Sequence, residues 1–229
     1  MNLFMSYNLD VDQAYIIRIL GNEVSERFAQ RCAESCVKVD MPYSFWDAYD
    51  GVDKEIKAPA HHNAVMDLVR ITDHYLTRGE IACALSHISL WVKCVLQDKP
   101  LVVLEHDALM LQPYTKHGVY NSIAFLGSKE QVVQGWPVLP TPPHGSDGPN
   151  KHFLCRAHAY AIDPAVAKNM VAHVIKFGIT DPLDIMLRAD IFPIHQIGVF
   201  AYDDPGAETT IHNRPKQGRT STRNDQLRT

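Results

Sequence analysis

Apolar residues alternate along this chain between short continuous runs and longer stretches with helical spacing. The run AYIIRIL at 14–20 is rich in β-branched residues and precedes a Gly-Asn turn, which predicts a strand. The stretch 79–97 repeats apolar residues every three or four positions, which predicts a helix with one buried face. A second apolar run, LVVLE at 101–105, follows this helix directly. Helix, short loop and buried strand in succession are typical of an α/β fold.

The other segments extend this prediction. The run at 101–105 has no polar alternation, which indicates a strand covered on both faces, as in a mostly parallel sheet flanked by helices. The strand at 153–162 alternates and is predicted to be half-buried, and the stretch 136–150, dense in Pro and Gly, is predicted to be a loop. Further strands are predicted at 41–51 and 121–127, and further helices at 25–37, 163–175 and 181–189, with Ser25, Asp163 and Asp181 as N-caps.

Composition narrows the class of protein. The chain has 229 residues, 46% of them hydrophobic, and a formal net charge of −4, which argues against a chain-wide electrostatic footprint for nucleic acid. Its five cysteines are scattered without a C-x-x-C pair, as expected for free thiols in a reducing compartment. The N-terminus lacks the pattern of a signal peptide, and no stretch reaches the ~20 apolar residues of a spanning helix. We therefore expect a soluble, cytoplasmic protein.

Charged residues interrupt the apolar run LVVLEHDALML at 101–111. Burying a charge is unfavourable unless the charge is paired or bound to a metal. In an open α/β sheet, ligands bind at the carboxyl ends of the strands, where Glu105, His106 and Asp107 would lie. Two carboxylates one residue apart suit a hard divalent cation such as Mn²⁺ or Mg²⁺. The alternative is an N-capping carboxylate beside a surface histidine.

Three segments in a fixed order resemble glycosyltransferase family 25, which includes the lipopolysaccharide-type and collagen-type galactosyltransferases. They are PYSFWDAYDG at 42–51, GEIACALSHISLW at 79–91 and the strand ending in Glu105-His106-Asp107. The resemblance extends through the N-terminal strand with Arg27 in the helix behind it, AHAYAI at 157–162, the Pro-Leu-Asp at 182–184 and the Thr-Thr-Ile at 209–211. It implies a GT-A-like, Rossmann-related fold, with a catalytic domain over 1–212 and a polar C-terminal tail over 213–229.

The resemblance also implies an activity: inverting transfer of a hexose, typically galactose from UDP-galactose, to a hydroxyl of a glycan or another acceptor, with Mn²⁺ or Mg²⁺. Asp107 is then the predicted metal ligand, and Glu105 is a second ligand or a contact to the donor. Asp184 is the predicted base, with an acid at a helix N-terminus as the alternative. The predicted donor-binding residues, each of which could instead be structural, are Glu80, Ser86, His87, Glu105 and His106.

Two positions depart from the family pattern. His106 stands where the family has a third acid, and Arg18 stands where the family has Asn. The first departure keeps two other classes open: a nucleotide-sugar- or carbohydrate-binding relative with weakened catalysis, and a metal-dependent phosphohydrolase or nucleotidyltransferase. His195 and His212 are candidate late metal ligands, and the basic residues at 214–223 are candidate contacts to an anionic group or a solvated tail. Attachment at the periphery of a membrane also remains open.

Overall fold

The computed structural model describes residues 9–127, except Lys54 and His74, and residues 157–207. Seven strands and four α-helices occur in this part of the chain. The strands are β1 (Ala14–Arg18), β2 (Tyr43–Asp47), β3 (Leu101–Leu104), β4 (Ala108–Met110), β5 (Ile123–Gly127), β6 (Ala159–Ile162) and β7 (Ile194–Asp203). The helices are α1 (Glu23–Lys38), α2 (Arg78–Gln97), α3 (Pro164–Phe177) and α4 (Leu183–Met186), with a 3₁₀ turn at Ala64–Leu68.

The strands form one sheet in the order β2-β1-β3-β6-β5-β7-β4. Strands β1, β2, β3, β5 and β7 run in one direction, and β6 and β4 run against them. Five of seven strands are thus parallel to one another, and helices cover the sheet. This confirms the predicted α/β, Rossmann-related GT-A-like class.

Each face of the sheet carries its own core, because alternate residues of a strand point to opposite faces. Tyr15 and Val103 belong to the core shared with α2 and α3. Ile16 and Leu104 belong to the core shared with α1. All four residues of β3 are buried, which confirms that this strand is covered on both sides.

Helix α2 is the central element of the first core. Thr77 and Glu80 form a reciprocal capping box at its N-terminus, and Asp98 ends it in a left-handed conformation. Gly51 lies against this N-terminus so closely that a Cβ there would come within 2.4 Å of the carbonyl oxygen of Arg78. Among the described residues, α2 alone is long and apolar enough to cross a membrane, but 78% of its apolar window is buried inside the protein.

Several predicted elements need correction. Helix α1 is capped by Asn22, whose side chain accepts the N–H of Ser25, so Ser25 is not the N-cap. Strand β6 is fully buried, not half-buried, because it lies in the middle of the sheet with a core on each face. Helix α4 spans only four residues and starts after Pro182, so Asp181 is not its N-cap.

The described structure also contains elements that were not predicted. Strand β7 is ten residues long, and its pairing with β5 shifts register between Phe125 and Gly127. Gly198 within β7 has a φ of +120°, which interrupts the regular geometry of this strand. The predicted loop at 136–150, the first part of the predicted strand at 153–162 and the C-terminal tail lie outside the described residues.

Candidate active site

The carboxyl ends of the parallel strands meet at one edge of the sheet, called here the carboxyl edge. Glu105 directly follows β3, and Asp203 is the last residue of β7. His158 precedes β6, which runs in the opposite direction, so it reaches the same edge. Arg18 and Asp47 end the neighbouring strands β1 and β2, and their side chains form an ion pair of 3.0 Å. Titratable groups from five of the seven described strands therefore lie at this edge.

A tight reversal of the chain positions Glu105. Its backbone N–H donates to the carbonyl of His158 at 2.8 Å, and its own carbonyl accepts the N–H of Ala108 at 3.0 Å. The side chain points toward α2, where Oε1 lies 3.3 Å from Nε2 of His87. Glu105 keeps 29% of its side chain exposed, whereas His87 keeps 1%. Glu105 can therefore reach a ligand, and His87 lies behind it.

Electrostatics keep Glu105 ionised. Burial raises the pKa of this carboxyl group, but the contact with His87 and the neighbouring imidazoles of His106 and His158 lower it by more. The net pKa of Glu105 therefore lies below its usual value. A carboxylate that is charged, partly exposed and held from behind is suited to binding a cation or a sugar hydroxyl.

Asp107 has the opposite electrostatic character. Its Oδ1 is buried and has no hydrogen-bond partner in the described part of the chain, although most buried polar atoms in proteins have one. Burial, together with the charges of Glu105 and Asp203, raises the pKa of Asp107 to about 7. The backbone carbonyl of Asp107 accepts the N–H of Asp204 at 2.7 Å, which ties this turn to the end of β7. Asp107 is thus a half-buried acid whose buried oxygen has no compensating cation among the described side chains.

His158 and Asp203 are functional candidates that the sequence did not indicate. Nδ1 of His158 lies 2.8 Å from Oδ1 of Asp203, and the histidine side chain is 2% exposed. Gly127 makes room for the imidazole, since a Cβ there would lie 1.9 Å from its Nε2. Asp203 was not predicted because the irregular strand β7, which ends at this residue, was not predicted.

His106 turns away from this group of acids. Its ring lies on the α1 side, with its centroid 6.4 Å from that of Phe28, and its buried Nε2 has no hydrogen-bond partner among the residues that the structure describes. Burial lowers the pKa of His106, which favours the neutral imidazole. The predicted donor-binding role of His106 remains a prediction.

Ser86 and Glu80 have structural partners. The Ser86 hydroxyl donates to the carbonyl of Ala82 at 2.7 Å and accepts the N–H of Tyr49 at 2.9 Å, which joins α2 to the segment after β2. Glu80 accepts from the N–H and the hydroxyl of Thr77 at 2.8 and 2.9 Å in the capping box. These contacts account for both residues without a bound sugar donor. Their predicted contacts with the sugar donor remain predictions.

Asp184 lies in the first turn of α4, near the carboxyl edge. Burial raises the pKa of its carboxyl group, and so do the charges of Glu105 and, to a smaller extent, Glu80. Asp184 therefore belongs to the same electrostatic cluster as Glu105 and Asp107. Its place in the first turn also fits the alternative, an acid at a helix N-terminus, so the role as base remains a prediction.

One group of ligand-type atoms also occurs at this edge. Sγ of Cys83, a ring nitrogen of His87 and a carboxylate oxygen of Glu105 all lie within 4.8 Å of one another. Burial raises the pKa of the Cys83 thiol, and the charges of Glu105, Asp184 and Asp107 raise it further. The thiol therefore stays protonated without a metal.

The predicted late ligands are not part of this group. His195 follows the first residue of β7 and contacts the hydroxyl of Ser122, at the opposite end of the sheet. This position is wrong for a ligand of a cation held by Asp107. His212 and the basic residues at 214–223 lie outside the described residues.

A sequence model of glycosyltransferase family 25, described as an LPS biosynthesis protein family, matches residues 15–130. The match covers just over half of the chain. The chain belongs to glycosyltransferase family 25. It is therefore a glycosyltransferase, which acts on a sugar donor and an acceptor. No curated protein matches the sequence.

The family assignment confirms the resemblance seen in the sequence and covers its three main segments. It includes α2, Glu105 and Asp107, and it ends before Asp184, His158 and Asp203. The inclusion of Asp184, His158 and Asp203 in the candidate site therefore rests on their positions in the folded glycosyltransferase.

Proposed function

We propose that this family 25 glycosyltransferase transfers galactose with inversion from UDP-galactose to a hydroxyl group of a glycan acceptor. The observation that carries the proposal is the buried, unpartnered Oδ1 of Asp107 beside the ionised Glu105 at the carboxyl edge. Active sites are places where burial and like charges shift pKa values in this way. The edge is also where an open α/β sheet binds its ligands.

The residues at this edge fit a hard divalent cation, Mn²⁺ or Mg²⁺. Asp107 would hold it through the oxygen that now lacks a partner, and Glu105 would be the second ligand or a contact to the donor sugar. Oxygen ligands are those such cations prefer. When bound, the cation supplies positive charge for the departing diphosphate.

The protein's own side chains account for the remaining requirements of the reaction. Inversion needs a base that accepts the proton of the acceptor hydroxyl. The oxygen of that hydroxyl then bonds to the sugar C1 as the bond from C1 to the diphosphate breaks. Asp184 is suited to this role because its raised pKa makes it a stronger base than an ordinary aspartate. Glu105, held from behind by His87, orients the donor.

The acceptor and the cellular setting belong to the same proposal. The family description points to lipopolysaccharide-type glycans as the acceptor class. We propose that the enzyme acts in the cytoplasm, at the periphery of the membrane where such lipid-linked glycans are assembled.

A donor and product assay tests the proposal. Purified protein is incubated with UDP-galactose, UDP-glucose and other nucleotide sugars, with Mn²⁺, Mg²⁺ or EDTA, and a panel of glycan acceptors. We expect an anomerically inverted galactoside and release of UDP, both dependent on the cation.

The assay also separates the two other classes. Binding of a UDP-sugar without turnover with any acceptor would indicate a binding protein and contradict the proposal. Release of phosphate or pyrophosphate from a nucleoside triphosphate without sugar transfer would indicate a phosphohydrolase or nucleotidyltransferase. Asp107→Asn serves as the loss-of-cation variant, and Asp47→Asn, at the same edge but paired with Arg18, is its comparison.

A further inference from the structure

A chain of buried polar side chains lies behind Glu105 and begins at Trp91. The indole Nε1–H of Trp91 can only donate a hydrogen bond. It lies 2.8 Å from the hydroxyl oxygen of Tyr160, and Trp91 is only 1% exposed. Tyr160 therefore accepts a hydrogen bond from Trp91 with its oxygen.

The Tyr160 hydroxyl must in turn donate its own proton to a hydrogen-bond acceptor. This side chain is completely buried, and burial raises the pKa of its phenol well above the usual value, so the proton is retained. The second hydrogen-bond contact of the hydroxyl in the described structure is Nδ1 of His87, at 2.9 Å. A buried hydroxyl proton without an acceptor is unfavourable. Nδ1 of His87 is therefore the acceptor and carries no proton.

This assignment determines the other ring nitrogen of His87. A neutral imidazole with a bare Nδ1 carries its proton on Nε2. Nε2 lies 3.3 Å from Oε1 of Glu105, within ion-pair distance but without hydrogen-bond geometry in the described structure. Such contacts are often long in ligand-free structures and tighten when a substrate binds.

We propose that His87 is a positioning residue: the Trp91–Tyr160–His87 chain fixes the Nε2–H tautomer, which holds Glu105 in the orientation that meets the donor. The His87 side chain is 1% exposed, so it acts through Glu105 and does not touch the ligand itself. This inference rests on the proposed function for the role of Glu105, but the tautomer itself follows from the contacts alone.

The same geometry decides against a zinc site at Cys83, His87 and Glu105. A metal on Nε2 of His87 would need the lone pair there, which moves the ring proton to Nδ1. Tyr160 would then lose the acceptor for its own proton inside the core. The hydrogen-bond chain and the three-ligand site thus exclude each other.

The first test reads the tautomer directly in the ligand-free protein. Two-bond ¹H–¹⁵N correlation NMR distinguishes Nε2–H from Nδ1–H imidazoles, and the His87 signals are assigned by their loss in His87→Gln. We expect a pure Nε2–H tautomer in the unmodified protein and a mixture of the two tautomers in Tyr160→Phe. An Nδ1–H form in the unmodified protein, or signals of a metal-bound ring that change on chelation, would overturn the proposal.

The second test measures transfer kinetics. We expect Tyr160→Phe and His87→Leu to lower kcat/KM for the donor by about tenfold, the lower end of the effect of outer-sphere partners. His87→Gln should recover part of the loss, because its amide can donate to Glu105 from a similar position. Ser89→Ala is the matched control, because Ser89 lies on the same helix as His87 and its hydroxyl accepts a hydrogen bond from the indole Nε1–H of Trp46 in β2.

The outcomes separate the inference from the proposed function. Equal kcat/KM for Tyr160→Phe and Ser89→Ala would overturn the positioning role. Absence of any transfer by the unmodified protein would contradict the proposed function, while the NMR result would still decide the tautomer.

Discussion

The two ends of the sheet both hold buried histidines beside carboxylates, but they differ in how well these groups are satisfied. At the amino end, Asp163 accepts from the N–H groups of Ala165 and Val166 at 2.8 and 3.0 Å, and from Ser122 at 3.3 Å. Its Oδ2 also lies 3.4 Å from Nε2 of His117. At the carboxyl edge, Oδ1 of Asp107 has no hydrogen-bond partner among the described residues.

The pKa values of the two acids show the consequence. Burial raises the pKa of both, but at Asp163 the contacts with His117 and the backbone lower it by more, so the net shift is downward. At Asp107 the nearby carboxylates add to burial and raise the pKa to about 7. A fully bonded acid stabilises the fold, whereas an acid left unpaired is available to a ligand. This difference supports the proposal that the carboxyl edge is the functional one.

The largest expected effect comes from Asp107→Asn. Loss of the cation ligand removes several kcal/mol of charge stabilisation, so we expect transfer to fall by at least about 100-fold. The protein should be at least as stable as before, because no hydrogen bond of Oδ1 is lost and an amide carries no charge at this site. Steady-state kinetics and thermal unfolding measure the two quantities, and near-normal activity would refute the role of Asp107.

Asp163→Ala should have the converse effect. It removes the N-cap of α3 and leaves the partners of Asp163 unsatisfied, which we expect to lower the free energy of unfolding by about 2–4 kcal/mol. Activity per folded molecule at low temperature should stay within about twofold of normal. Chemical denaturation gives the stability, and Asp163→Asn is the control that keeps the shape. A variant as stable as the original would show that the amino-end network contributes little.

Gly127→Ala tests the space made for His158. The new methyl group would displace the imidazole from its contact with Asp203, and we expect transfer to fall by about tenfold, in the range of outer-sphere changes. Gly206→Ala is the matched control, because its Cβ would meet its nearest neighbours at 3.4 Å or more. Equal activity of the two variants would mean that the position of His158 does not matter for transfer.

The last of these predictions concerns the pH dependence of stability in EDTA. Between pH 4 and 7 the unfolded chain has released the proton of Asp107, whereas the folded protein retains it because the pKa there is about 7. The stability of the unmodified protein relative to Asp107→Asn should therefore fall as pH rises, by at most about 1.4 kcal/mol per pH unit. Denaturation series from pH 4 to 8 measure this, and a difference that is independent of pH would contradict the raised pKa.

Local patterns were enough to predict the elements around β3. Helical spacing predicted α2, and the uninterrupted apolar run predicted a strand buried on both faces, so the order of helix, strand and acidic turn followed from the sequence. Strand β7 did not follow, because Gly198 and the register shift beside Gly127 disrupt its alternation. Asp203 was missed for that reason.

In the candidate site as well, sequence patterns could not predict which side chains contact one another. The sequence placed Ser86, His87 and Glu105 together as polar candidates, but it could not tell which of them faces ligand. Only the fold shows that Ser86 bonds the backbone of Tyr49 and that His87 stands behind Glu105. The side on which His106 lies likewise depends on where α1 packs.

The binding of Mn²⁺ in the presence of UDP, followed by electron paramagnetic resonance, tests the central claim most directly. The unmodified protein and Asp163→Asn should bind one Mn²⁺ with the same affinity, and Asp107→Asn should bind it at least about tenfold more weakly. Equal affinity in all three proteins would contradict the assignment of the carboxyl edge as the cation and donor site.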